Sequence, residues 1–124
     1  MHGLAQADHA RLLAKACTNR RLSVFIQVNV SGEASKAGVT AAGLAPLLDA
    51  VRALPSLDVV GLMTMAPPAG EGVDDEQILA CFTGLRDLAR THGLSRLSMG
   101  MSADFPLAIR AGATDVRIGG RLFA

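Results

Sequence analysis

Over residues 22–30 the sequence LSVFIQVNV alternates. Val24, Ile26, Val28 and Val30 fall on one side, and Phe25, Gln27 and Asn29 on the other. A two-residue period rich in β-branched side chains predicts a strand. The run VVGLMTM at 59–65, closed by Pro67 and Pro68, predicts a second strand. RLSMG at 96–100 and DVRIG at 115–119 predict a third and a fourth. Between them the period changes. Leu44, Leu47, Leu48, Val51 and Leu54 recur at helical spacing, as do Ile78, Phe82, Leu85 and Ala89 within a helix predicted over 74–90. Asp74, Asp75 and Glu76 suit the positive end of that helix, and Arg86 and Arg90 the negative end. Gly93 is its stop signal. A first helix over 7–19 and a short one over 103–111, stopped by Gly112, complete an α-β-α-β-α-β-α-β order.

Strands alternating with helices predict an α/β fold, a parallel sheet covered by helices. An open doubly wound sheet and part of a (β/α)8 TIM barrel share this order. A whole barrel takes about 200–250 residues and eight strands. About four parallel strands with flanking helices in 124 residues amount to half of one. The predicted order begins on a helix and ends on a strand with no helix after it. A parallel strand is normally covered by the helix that follows, so the expectation is a chain cut at both ends.

Composition narrows the function. Half the residues are hydrophobic and the net charge is +1, which argues against disorder and against a nucleic-acid footprint. Apolar runs fall far short of the ~20 residues that span a bilayer, and the first residues do not form a signal peptide. The expectation is a cytoplasmic protein with no membrane partner. Cys17 and Cys81 are isolated, as expected of two buried thiols in a reducing compartment. His2, His9 and His92 show no metal-ligand spacing, so no metal is expected. Tyr is absent, and the lysines are Lys15 and Lys36 against ten Arg.

Two stretches carry candidate chemistry. In LSMGMSAD, residues 97–104, a strand runs through Gly100 into a helix start that Ser102 or Asp104 can cap. Free N–H groups at such a start, with a serine hydroxyl, favour an anion. In VRIGGR, residues 116–121, Arg117 points away from the face shared by Val116 and Ile118. An inward arginine is costly without a partner, and Gly119-Gly120 exposes backbone N–H groups as phosphate nests do. Both stretches sit at the C-terminal ends of consecutive strands, where ligands bind in either architecture. Taken separately, each also reads as a capped helix or a turn. A third stretch, 28–38, places Asn29, Glu33, Ser35 and Lys36 in a polar loop at the same edge, held by Gly32 and Gly38.

The blocks VNVSGEASKAG, GLMTMAP, LSMGMSADFPLAI and VRIGGRLF, in this order over about residues 23–123, resemble the YggS/PROSC family of pyridoxal 5′-phosphate (PLP) homeostasis proteins. The resemblance implies a fold-type III PLP barrel like the N-terminal domain of alanine racemase, with residues 1–124 as its C-terminal half. Family members are cytosolic, bind PLP without an established catalytic activity, and are thought to buffer or deliver it. By the resemblance, Ser102 matches the phosphate-binding serine, with Met101 beside it and Ser98 in the same block. Gly119 and Gly120 match the Gly-Thr pair whose backbone holds the phosphate, with Gly120 lacking the hydroxyl. Arg117 matches the arginine near the pyridine nitrogen, where a cation disfavours ring protonation. Asn29 and Met63 match strand positions lining the cavity.

The family's PLP-bound lysine lies on a strand ahead of the matching region, and Lys36 belongs to a separate block. The implied binding is therefore non-covalent and weak, with no catalytic residue. A racemase of this fold type would need a tyrosine base. The alternatives are a module for another phosphorylated small molecule, or a remnant whose strand edges and apolar lumen face drive self-association.

Overall fold

The computed structural model describes residues 4–17, 21–30, 38–66, 74–101 and 104–117. Four strands form one sheet in the order β1-β2-β3-β4, all parallel. They are β1 (Leu22–Gln27), β2 (Leu57–Met63), β3 (Arg96–Met101) and β4 (Asp115–Arg117), and the helices are α1 (Ala7–Ala16), α2 (Ala41–Arg52), α3 (Asp75–Thr91) and α4 (Phe105–Arg110). Helices and strands alternate along the whole described chain, as the change of period predicts.

The two sheet faces differ because the strand period is two. Val24, Ile26, Val28, Leu62, Leu97 and Met99 pack with Leu44, Leu48, Val51, Ile78, Phe82, Leu85, Ala89 and Ala108 into one apolar core. This is the helix-covered face. Register places Phe25 beside Gly61 and Arg96, Gln27 beside Met63 and Ser98, and Ser98 beside Asp115. Those residues and Arg117 share the opposite face, which corresponds to a barrel lumen. The expected exposed apolar lumen face is not what forms. Phe25, Gln27, Met63 and Ser98 are buried, and the face is rich in polar side chains.

Local chemistry sets the helix ends. Asp74 and Gln77 form a reciprocal capping box at α3, each side chain accepting from the other's backbone N–H at 2.9 Å. Thr40 Oγ1 accepts from Gly43 N–H at the start of α2. Gly93 and Gly112, with φ of +70° and +103°, follow α3 and α4 as the stop signals require. Asp74→Ala removes the exposed half of the capping box and is expected to cost about 1 kcal/mol, read as a lower urea midpoint at unchanged slope.

Several boundaries depart from expectation. β1 ends at Gln27 instead of residue 30, because Val28 leaves the ladder to bridge Val39. β2 runs two residues earlier than the predicted 59–65. The first helix ends at Ala16, not residue 19. The described chain does not begin on a helix. Leu4 pairs in parallel with Ile26, its N–H donating to Phe25 O at 3.2 Å and its carbonyl accepting from Gln27 N–H at 2.7 Å. The outer edge of β1 is thus partly paired. Cys17 and Cys81 are buried and free.

Candidate functional site

The C-terminal edge of the sheet is built from hydrogen bonds that fasten each strand end to its neighbour. Val39 N–H donates to Gln27 O at 2.9 Å, and Asn29 N–H donates to Val39 O at 2.8 Å. The chain therefore returns beside β1 after the 31–37 segment. Gly38 makes that return at φ +117°, where a Cβ would lie 2.8 Å from Asn29 N. Val28 N–H donates to Met63 O at 2.8 Å, and Thr64 N–H donates to Ser98 O at 3.2 Å. The buried Thr64 hydroxyl donates to Val28 O at 2.8 Å. Thr64 falls inside the predicted strand 59–65, where the periodicity gives a lone threonine no distinguishing signal.

These links bring together most of the described candidates. Met63 and Ser98 are register partners on the lumen face and are buried. Asn29 is half-buried, two residues past the end of β1. Met101 ends β3 and pairs with Arg117 on β4, but the residue is 45% exposed. Ser102, Gly119 and Gly120 lie outside the described residues, as do Glu33, Ser35 and Lys36.

Arg117 is the distinctive residue of this edge. It is half-buried, and its Nε and Nη2 are buried without a hydrogen-bond partner among the described residues. Burial pushes its pKa below the usual guanidinium value, and the negative charge of Asp104 partly opposes that. Arginine only donates hydrogen bonds. Its orphaned donors therefore call for an acceptor. An unprotonated pyridine nitrogen is such an acceptor, and so is an anionic oxygen. Arg117 thus has the chemistry to meet either acceptor.

The described part of the helix start, from residue 104 on, offers few free donors. α4 begins at Phe105, and Pro106 has no N–H to offer. Leu107 and Ala108 N–H both donate to Asp104 O, at 3.1 and 3.2 Å. Asp104 stands at the N-cap position, yet its side chain makes no cap hydrogen bond. Oδ1 turns back to β3 and accepts from Met101 N–H at 2.7 Å.

Sequence reasoning also missed a brace at the other end of the lumen face. Arg96 holds Asp115 through Nη2–Oδ2 at 2.7 Å and Nε–Oδ1 at 3.4 Å. Its guanidinium lies 5.1 Å from the Phe25 ring centroid. The Thr114 hydroxyl accepts from Leu97 N–H at 2.9 Å and lies 2.7 Å from Asp115 Oδ1. The partly exposed pair contributes little alone, but it fixes β3 against β4, two residues before Ser98 and Arg117.

A cavity of about 340 Å³ lies between Arg86, Arg90, Ser95 and Gly112. It sits at the N-terminal edge of β3 and β4, beside the negative end of α3, away from Arg117. Among the described residues no cluster of His, Cys, Asp or Glu could hold a metal ion, and no helix is long and apolar enough to cross a membrane.

Comparison with known proteins places this geometry. Residues 1–124 match the family described as alanine racemase, N-terminal domain. The pyridoxal phosphate homeostasis protein of Pseudomonas aeruginosa is 48% identical over 104 residues, covering 82% of this chain and 44% of that protein. That of Aquifex aeolicus is 45% identical over 128 residues, covering 99% and 56%. The chain thus spans about half the length of the curated relatives it matches. PipY of Synechococcus elongatus, solved without PLP, superposes with a TM-score of 0.85 at 31% identity, over 99% of this chain and 60% of PipY. Its PLP-bound form gives 0.81 at 29% identity, over 99% and 59%. The chain belongs to the alanine racemase N-terminal-domain family and, within it, to the YggS/PROSC group of pyridoxal phosphate homeostasis proteins.

Proposed function

We propose that these residues form the phosphate and ring-nitrogen side of a PLP site, in a protein that carries the cofactor and does not turn over a substrate. The observation that carries this reading is Arg117, whose buried Nε and Nη2 have no partner among the described residues at the C-terminal edge of the sheet. Residues 1–124 act as the C-terminal half of a PLP-binding barrel.

PLP brings an electrophilic aldehyde and an electron-accepting ring. Arg117 donates to the ring nitrogen and, having no acceptor, keeps it unprotonated. An unprotonated ring is a weak electron sink, which suits carriage better than catalysis. Met63 and Ser98 wall the ring from the lumen face, and Asn29 borders the same cavity. Ser102, Gly119 and Gly120 hold the phosphate, and Met101 shields it at the rim. The free cysteines suit a reducing compartment, and the reading places the protein in the cytoplasm.

The lysines of the sequence are Lys15 and Lys36. Lys15 lies in the last turn of α1, and Lys36 is not a family PLP lysine. Binding by these residues is then non-covalent and weak. Titration followed by PLP fluorescence tests this, with borohydride treatment and intact mass as the second readout. The expected result is saturable, reversible binding with no mass added after reduction. A reduced pyridoxyl group on Lys36, or a thermal shift with a sugar phosphate and none with PLP, would overturn the reading.

A further inference from the structure

The cavity of about 340 Å³ at the N-terminal edge of β3 and β4 lies apart from the PLP edge. Its volume stands at the lower end of the ~300–1,000 Å³ common for ligand pockets. Its walls combine two guanidinium groups and a hydroxyl with apolar side chains. Arg86 and Arg90 stand one turn apart on α3, so they share one face of the helix. Ser95 comes from the link before β3, and the buried Ala89 and Leu97 supply apolar lining. Gly112 completes the wall, and a Cβ there would lie 3.9 Å from Arg86 Cδ.

Arginines near the end of a helix ordinarily serve its open carbonyls. At the end of α3 other groups do that work. Leu88 O accepts from His92 N–H at 3.1 Å, Ala89 O from Leu94 N–H at 2.8 Å, and Arg90 O from Gly93 N–H at 3.2 Å. His92 O accepts from Arg52 Nη2 at 3.3 Å. Arg86 makes one long bond, from Nε to Asp87 Oδ1 at 3.4 Å, and that carboxylate is 66% exposed. The terminal nitrogens of Arg86, the Arg90 guanidinium and the Ser95 hydroxyl have no hydrogen-bond partner among the described residues. On β4, Asp115 is held by Arg96. Three sets of donors thus line one cavity with no protein acceptor assigned to them.

We propose that this cavity is a binding site for a small phosphate monoester, with the phosphate between Arg86 and Arg90 and the organic part against Ala89 and Leu97. Two guanidinium groups call for two negative charges, and a phosphate monoester, with a second pKa of about 6, carries nearly two at neutral pH. The planar fork of arginine matches phosphate oxygens two at a time, and Ser95 adds a further donor. The site lies at the opposite sheet edge from Arg117, so it does not depend on the PLP reading.

The probe is phenyl phosphate, titrated into the isotope-labelled chain with the amide resonances followed by NMR. Phenol and succinate are the comparison ligands, the first lacking the charge and the second the phosphate. Phenyl phosphate is expected to saturate and to shift the Ser95 and Gly112 amides, with phenol silent and succinate weaker. R86Q and R90Q are each expected to weaken it about tenfold. R11Q makes the same charge change on α1 and is expected to leave it unchanged. Shifts centred on Ser98 and Arg117 would place the anion at the PLP edge and overturn the site. An equal loss in R11Q, or no saturation, would reduce it to general attraction between charges and overturn it too. Succinate binding as tightly as phenyl phosphate would overturn the choice of phosphate. If R86Q or R90Q does not fold, the shift map of the wild type decides.

Discussion

Gly61→Ala is expected to destabilise the chain by about 3 kcal/mol or more and to lower its melting temperature sharply. Gly61 sits in β2 between Phe25 of β1 and Arg96 of β3. Val60 is the extra residue of a bulge, since Val24 pairs with Val59 and Phe25 with Gly61. The bulge presses Gly61 onto β3. A Cβ there would collide with the Arg96 carbonyl oxygen and lie 2.6 Å from its carbon and 2.9 Å from its Cβ. Backbone cannot swing aside as a side-chain tip can, so β2 must part from β3. The Arg96–Asp115 brace and the stack on Phe25 depend on the same contact. Overpacking costs about 1–3 kcal/mol in an ordinary core. A backbone collision in a central strand belongs at or above the top of that range, a large share of the ~5–15 kcal/mol that holds a domain folded. Circular dichroism melts of wild type and G61A measure it. Gly93→Ala is the control. It is strained at φ +70° but has nothing within 4 Å of the added methyl, so its loss is about 1 kcal/mol. A G61A melt at the wild-type temperature would refute the collision.

The contrast between these two glycines shows what sequence can and cannot carry. Gly93 is legible because a helical pattern ends there, and local stop chemistry needs no partner. Gly61 stands inside the apolar run VVGLMTM and looks like any strand glycine. Its importance comes from register, which brings a residue 35 positions away against it (Arg96). The same limit explains the strand ends. Alternation continues through Asn29, but it cannot say that Val28 will bridge Val39. Leu4 makes a single pairing, too short to leave a pattern. At the site, Arg117 is visible because a charge in an apolar strand is costly. The Arg96–Asp115 pair is not, since its partners lie on different strands. Asp104 is visible as a cap candidate, but which way its carboxylate turns depends on the left-handed turn at Gly100.

Arg117→Met is expected to raise stability and weaken the ligand together. In the folded chain, burial leaves Arg117 Nε and Nη2 without partners among the described residues. An unsatisfied buried donor costs about 1–3 kcal/mol. Methionine has similar length and no donor, so R117M should gain about 1 kcal/mol after allowing for the partial exposure of the side chain. If the ring nitrogen of PLP is what those donors await, the same change removes that hydrogen bond. PLP and pyridoxal should then weaken together by about tenfold, because the lost contact is to the ring they share. Arg117→Lys should recover only part of the affinity, since an ammonium lacks the fixed planar fork of a guanidinium. Urea unfolding and fluorescence titration on the same preparations give both quantities. A variant that is less stable and binds PLP as wild type does would make Arg117 a structural residue. Higher stability with weaker binding of both ligands is the signature of a side chain held in strain for a ligand.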